Sequence, residues 1–111
     1  MPRKFKAELD DRVYEMEVRI CKAFANATRL RMLDLLSKDE LTVSDIQAKL
    51  GLPAPNVSQH LTILKAAGVV TTRREGKQIF CKLTMPEVSQ ACSLIRGVLR
   101  AQLRSGRELV V

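Results

Sequence analysis

The sequence is poor in several residue types that mark particular classes of protein. It contains no Trp, and aromatic residues make up 4% of its 111 residues, which indicates an aliphatic, helix-rich interior. Its three Cys are not closely paired, which argues against a disulfide scaffold and is compatible with reduced thiols. No apolar run approaches the length of a membrane span, and the N-terminal residues lack the apolar core of a signal peptide. We therefore expect a cytoplasmic protein.

The residue patterns of common active sites are also absent. The sequence has no Gly-rich phosphate loop, no nucleophile placed with a base, and no paired carboxylates beside its one histidine, His60. We therefore expect a protein that is not an enzyme. An apolar content of 46% and a charged content of 28% are typical of a folded soluble protein, and the length predicts one domain over residues 1–111.

Positive charge, in contrast, is abundant. The chain has 19 Lys and Arg against 12 Asp and Glu, a net charge of +7. This balance favours a polyanionic partner, either nucleic acid or an anionic membrane surface. Residues 53–83 carry +4 of the +7, because five cations there accompany a single acidic residue.

Residues 43–67 have the pattern of two helices joined by a tight turn. Apolar residues recur at helical spacing in both halves. They are Val43, Ile46 and Leu50 in the first half, and Val57, Leu61 and Leu64 in the second. Thr42 with Asp45 forms a near capping box, and Gly51 stands where a helix end needs a left-handed residue. Two helices around a Gly-containing turn are typical of a helix-turn-helix, although a helical hairpin inside a bundle gives the same pattern.

The outer face of the second helix of this pair is small, mostly uncharged and rich in hydrogen-bonding groups. Such side chains can bond base edges in the major groove. The candidate DNA-binding residues of this helix are Asn56, Ser58, Gln59, His60, Thr62 and Lys65. His60 lies at the flank of the apolar stripe, where a structural or phosphate-contacting role is favoured over a role as a metal ligand.

Residues 69–83 predict an antiparallel hairpin directly after these helices. Val69–Arg73 and Gln78–Leu83 are β-branched or aromatic runs, and Arg74–Lys77 supplies the turn. A hairpin at this place is a wing, and the cations Arg73, Arg74 and Lys77 would reach backbone phosphate or a minor groove. Ordinary solvation of a charged hairpin tip is the alternative.

Three further helices are predicted, over about residues 8–24, 27–37 and 85–104. Asn26 suits the N-cap of the middle one, and Thr84 the N-cap of the last, with Pro86 in its first turn. The first and last helices carry apolar stripes too wide for so small a domain, and exposed stripes usually mark an interface. We expect a homodimer through these two helices, with half-sites about 34–36 Å apart on DNA. The alternative is that both helices pack on their own domain.

Three segments of the sequence are similar to those of a known family: KAFANATRLRMLDLL, LTVSDIQAKLGLPAPNVSQHLTILKAAGVV and RREGKQIFCKL. Together they resemble the ArsR/SmtB family of winged-helix repressors over about residues 20–98. The resemblance implies a mainly α winged helix-turn-helix with a small β-hairpin. It also implies a homodimeric transcriptional repressor that binds a double-stranded DNA operator, expected to be an inverted repeat. Release would follow a metal, a metalloid or a thiol-reactive signal.

The metal sites of this family do not carry over to the sequence. Thr42–Ser44 replaces a Cys-Val-Cys motif, and the last helix has no His and only Glu87 as an internal carboxylate. The remaining candidates for sensing are Cys21, Cys92 and Cys81. If the end helices pair across a dimer, Cys21 and Cys92 can approach each other and bind arsenite, with Cys81 as a third ligand, or form a disulfide or polysulfide link. Alternatively, each Cys is a small buried hydrophobic residue.

Two functions therefore remain open. The first is a sequence-specific repressor. The second is a winged-helix module that binds an acidic protein partner and has no sequence preference on DNA. The row Arg96, Arg100 and Arg104 on the last helix would serve such a partner or an anionic membrane, or form a solvated helix face.

Overall fold

The computed structural model describes residues 10–106, which form five helices and one three-stranded antiparallel sheet. The helices are α1 (Asp11–Phe24), α2 (Ala27–Lys38), α3 (Val43–Leu50), α4 (Ala54–Ala66) and α5 (Pro86–Arg104). The strands are β1 (Leu41–Thr42), β2 (Val70–Glu75) and β3 (Gln78–Leu83), in the spatial order β1-β3-β2. The predicted fold class, a winged helix-turn-helix, is confirmed. No helix in this part of the chain is long and apolar enough to cross a membrane.

Capping side chains define where the first two helices begin. The Asp10 carboxylate accepts a hydrogen bond from the backbone N–H of Arg12 at 2.9 Å, and α1 begins at Asp11. The first residues of the predicted helix, 8 and 9, lie outside the described residues. Asn26 Oδ1 accepts from the backbone N–H of Arg29 at 3.0 Å and caps α2, as its residue type predicts.

The helix-turn-helix consists of α3 and α4. Thr42 Oγ1 accepts from the Asp45 N–H, and the Asp45 carboxylate accepts from the Thr42 N–H, both at 3.0 Å. Aspartate therefore completes the capping box, although its side chain is shorter than that of the preferred glutamate. Gly51 ends α3 with φ 66°, a conformation that a residue with a Cβ adopts only with strain. Pro55 lies in the first turn of α4, where no intrahelical N–H is lost.

The sheet differs from the predicted hairpin in two respects. The turn is the pair Gly76–Lys77, so Arg74 and Glu75 belong to β2 rather than to a four-residue turn. In addition, β1 pairs with β3, with Leu41 opposite Cys81 and Thr42 opposite Phe80. A strand of two residues is too short to show a period of two in the sequence, and its partner lies about forty residues away along the chain.

The prediction that Thr84 caps the last helix is wrong. The N-cap of α5 is Met85, which provides no side-chain hydrogen bond, and Pro86 is the first helical residue. The Thr84 hydroxyl instead donates to the carbonyl oxygen of Gly68 at 2.8 Å and joins the end of the wing to the chain that leaves α4. Proline at the first position reduces the need for a cap, because it has no N–H to satisfy.

One aliphatic core lies between α2, α3, α4 and the sheet. Its largest fully buried side chains are Met32, Leu33, Ile46, Val57, Leu64 and Cys81. In contrast, α1 contributes only Ala23 to the buried core, and α5 only Val88 and Cys92. Most of the large apolar residues of these two helices are instead exposed in one protomer: Tyr14, Met16, Val18, Ile20, Leu94, Ile95, Val98, Leu99 and Leu103.

Candidate nucleic-acid interface

The outer face of α4 is fixed by the burial of its inner face. Val57 and Leu64 have no exposed surface and Leu61 is 5% exposed, so the rotation of the helix about its axis is determined by the core. Five of the six predicted DNA-binding residues of α4 lie on the exposed surface: Asn56, Ser58, Gln59, Thr62 and Lys65. No acidic residue occurs in the first turn of α4, so the positive end of the helix dipole is not neutralised there.

The hydroxyl of Thr62 is already used as a donor. Thr62 Oγ1 donates to the carbonyl oxygen of Ser58, one turn earlier, at 2.9 Å. The side chain therefore presents to solvent the lone pairs of its oxygen and its methyl group. These groups suit a base amino group or the methyl group of thymine, and not a base acceptor.

The two neighbouring arginines of the wing have different surroundings. The Arg73 guanidinium forms an ion pair with Glu75 at 2.9 Å and another with Glu40, and it lies 4.7 Å from the centroid of the Phe80 ring. The hydrogen bonds that Arg73 donates to Glu75 and then to Glu40 raise the pKa of Arg73 above its usual value. Arg73 is thus partly neutralised and held in place by the protein itself.

Arg74 points to the opposite face of β2, because successive side chains alternate along a strand. Arg74 and Lys77 are exposed, and within residues 10–106 neither they nor Lys65 form an ion pair. These three cations are therefore available to an external phosphate. The partners of Arg73 were not predicted, since Glu40 is 33 residues away in sequence.

His60, the sixth candidate on α4, is half-buried rather than exposed. Its Nδ1 lies 3.3 Å from a guanidinium nitrogen of Arg29, which donates the hydrogen bond because arginine has no acceptor. The same guanidinium also donates to the carbonyl oxygens of Ala23 and Lys22 at the end of α1. The sequence did not predict a functional role for Arg29, although this residue lies in the segment ATRLR that contributed to the family resemblance.

The three cysteines have different surroundings. Cys81 is fully buried in β3, and burial raises its pKa to about 11. Cys92 is 7% exposed, and burial followed by the charge of Asp34 raises its pKa. Cys21 is exposed on α1. Over the part of the chain that the structure describes, no three Cys, His, Asp or Glu side chains could hold a metal ion together.

Arg96 connects α5 to α2 beside Cys92. Its guanidinium forms an ion pair with Asp34 at 2.8 Å, with both side chains close to half exposed. The first member of the predicted arginine row therefore has a partner within its own protomer.

Comparison with known proteins agrees with this architecture. The family model described as "Bacterial regulatory protein, arsR family" matches residues 26–72, which include α2, α3 and α4. The HTH-type transcriptional regulator KmtR of Mycobacterium tuberculosis is 41% identical over 81 residues, which are 73% of this chain and 62% of KmtR. A biofilm growth-associated repressor of Agrobacterium fabrum is 32% identical, and the match covers 84% of this chain and 79% of the repressor.

A solved structure with a similar fold is the homodimeric winged helix-turn-helix domain Mb0332 of Mycobacterium bovis, a fragment of residues 1–100. The two chains superpose with a TM-score of 0.73 at 28% identity, over 100% of this chain and 97% of that one.

Proposed function

Because the chain belongs to the arsR family of bacterial regulatory proteins, which are transcription regulators and not enzymes, we propose that it is a homodimeric, sequence-specific repressor. It would act in the cytoplasm on an operator of double-stranded DNA that is an inverted repeat. A thiol-reactive or metalloid signal would release it. The supporting observation is the outer face of α4, where uncharged hydrogen-bonding side chains are exposed, together with the wing cations Arg74 and Lys77, which form no ion pair within residues 10–106.

The division of labour on DNA follows from side-chain chemistry. Asn56, Ser58, Gln59 and Thr62 would read base edges, because amides and hydroxyls discriminate bases in the major groove. Lys65, Arg74 and Lys77 would contact phosphates, which adds affinity on every sequence. Arg73 would join them only by exchanging the carboxylates of Glu40 and Glu75 for phosphate.

Dimerisation would place two such surfaces side by side. The exposed apolar residues of α1 and α5 support it, since a protein that stays monomeric rarely leaves so many large apolar side chains of two helices in water. The homodimeric state of Mb0332 supports the same assembly. In a two-fold dimer the two recognition helices are related by the symmetry axis, which accounts for an inverted-repeat operator.

The test is fluorescence anisotropy on DNA from the protein's own promoter and on a scrambled duplex of equal length. We expect Gln59→Ala to weaken operator binding roughly tenfold or more and to leave the scrambled duplex unaffected, because a bidentate base contact contributes about 1–3 kcal/mol of discrimination. Gln90→Ala removes a similarly exposed glutamine of α5 and serves as the control. Equal losses on both duplexes would remove Gln59 from base readout. If the wild-type protein shows no sequence preference, the alternative of a protein-interaction module is favoured.

The signal is proposed to act at Cys21 and Cys92. They lie on α1 and α5, so thiol chemistry there would disturb the helices that form the dimer. The exposure of Cys21 supports its accessibility to a reagent, whereas complete burial makes Cys81 a poor third ligand. Operator binding is measured after arsenite on reduced protein and after hydrogen peroxide, which accepts the two electrons released when two thiols form a disulfide. Release that Cys21→Ser and Cys92→Ser each abolish supports the proposal; binding unchanged by both reagents contradicts it.

A further inference from the structure

Arg29 occupies the junction of three helices. From the first turn of α2 its guanidinium donates to the carbonyl oxygens of Ala23, at 2.7 Å, and Lys22, at 3.1 Å, in the last turn of α1. It also contacts His60 Nδ1 on α4 at 3.3 Å. One planar group therefore satisfies the free end of α1 and reaches the proposed recognition helix.

The geometry suits arginine and no other residue type. The guanidinium has five donors in a rigid fork, so it can serve two carbonyls and a ring nitrogen at the same time. A lysine ammonium carries the same charge, but it is a single point with a flexible stem. The cation also faces the negative end of the α1 dipole, which favours this position.

We propose that Arg29 is a positioning residue that sets the orientation of α4 relative to α1 through His60. The proposal rests on the function proposed above, since α1 is there a dimer helix and α4 the reading helix. Fixing α4 against α1 fixes each reading helix against the two-fold axis. Without this hydrogen bond both half-sites would be misaligned, while the phosphate contacts of the wing would still support binding to any sequence.

Two substitutions of His60 separate this role from a direct contact with phosphate. The side-chain amide of asparagine ends near the position of Nδ1, and that of glutamine near the position of Nε2. His60→Asn can still accept from Arg29, whereas His60→Gln cannot and instead keeps a donor on the side of Nε2. A positioning role predicts that operator affinity is near wild type for His60→Asn and roughly tenfold weaker for His60→Gln, the loss expected for one charge-assisted hydrogen bond. The reverse order would assign His60 to phosphate contact and overturn the proposal.

Arg29→Lys is the second test, with Arg31→Lys, an exposed position of the same helix, as its control. We expect Arg29→Lys to weaken operator binding roughly tenfold and to leave the scrambled duplex within about twofold. Combining Arg29→Lys with His60→Gln should add little to either effect, because both substitutions break the same hydrogen bond.

The two proposals fail in different ways. If wild-type protein prefers the operator but His60→Gln, Arg29→Lys and their combination bind it as well as wild type, the positioning role is wrong and the repressor function stands. If wild-type protein binds both duplexes equally, the repressor function itself is wrong. If Arg29→Lys does not fold, as judged by circular dichroism, the His60 pair still decides the question.

Discussion

Truncation of Leu94 should weaken the proposed dimer strongly. Leu94 lies on α5 and is 73% exposed in one protomer, the largest exposed fraction among its large apolar residues. Nothing within the described protomer requires a leucine there, so Leu94→Ala should leave the fold intact. If the partner covers what one protomer exposes, the side chain is buried only on association.

The expected loss of dimerisation free energy follows from the area of Leu94 that the partner would bury and from the two-fold symmetry of the interface. Complete burial of a leucine side chain contributes about 1.5–3 kcal/mol, so burial of roughly three quarters of it contributes about 1–2 kcal/mol. A two-fold interface contains each residue twice, which gives about 2–4 kcal/mol per dimer. The dissociation constant of the dimer should therefore rise roughly 30- to 1,000-fold.

Sedimentation equilibrium over a range of protein concentrations measures this change. Ile63→Ala is the matched control, because Ile63 is an exposed aliphatic residue of α4, 38% exposed and outside the end helices. An unchanged dissociation constant for Leu94→Ala would show that α5 does not form the interface. An equal effect of Ile63→Ala would show that the stripe on α5 has no special role.

Three further outcomes are expected. Arg74→Ala should lower affinity for every duplex, and the slope of log affinity against log salt concentration should decrease by roughly one for each phosphate that Arg74 neutralises. Arg73→Ala should change affinity and slope less, because carboxylates already hold Arg73. Equal slopes for the two variants would contradict this. The pKa of Cys81 is raised from 9.0 to about 11, so the free energy of unfolding should decrease by up to about 2–3 kcal/mol between pH 9 and 11, relative to Cys81→Ala, in denaturant titrations at each pH. Thr42→Ala removes half of the capping box and should lower the thermal midpoint by about 4–8 °C; an unchanged midpoint would mean that the box adds nothing.

Local patterns predicted most of the fold. Asn26, Gly51 and the apolar stripe of α4 each depend on residues no more than about four positions apart in the chain, so their roles can be predicted from the sequence. The exposed face of α4 could be predicted as well, because the burial of one face of a helix determines which residues lie on the opposite face.

Contacts between distant residues could not be predicted in this way. Arg29 and His60 are 31 residues apart, and Arg73 and Glu40 are 33 apart, so no periodicity links either pair. The error at Thr84 has the same origin: its hydroxyl has a partner 16 residues away that outcompetes the expected local cap.

Thr42 belongs to two elements at once. Its backbone pairs with Phe80 of the wing, while its side chain begins α3. Motion of the hairpin at Phe80 relative to α3 would therefore strain both a sheet ladder and a helix cap. If this coupling also holds the wing in place relative to α4, the loss of conformational freedom that a mobile wing would suffer on binding DNA would already have occurred on folding. A duplex whose groove spacing does not match the distance between α4 and the wing would then have to deform. The protein would therefore select DNA by the flexibility of the duplex as well as by its base sequence.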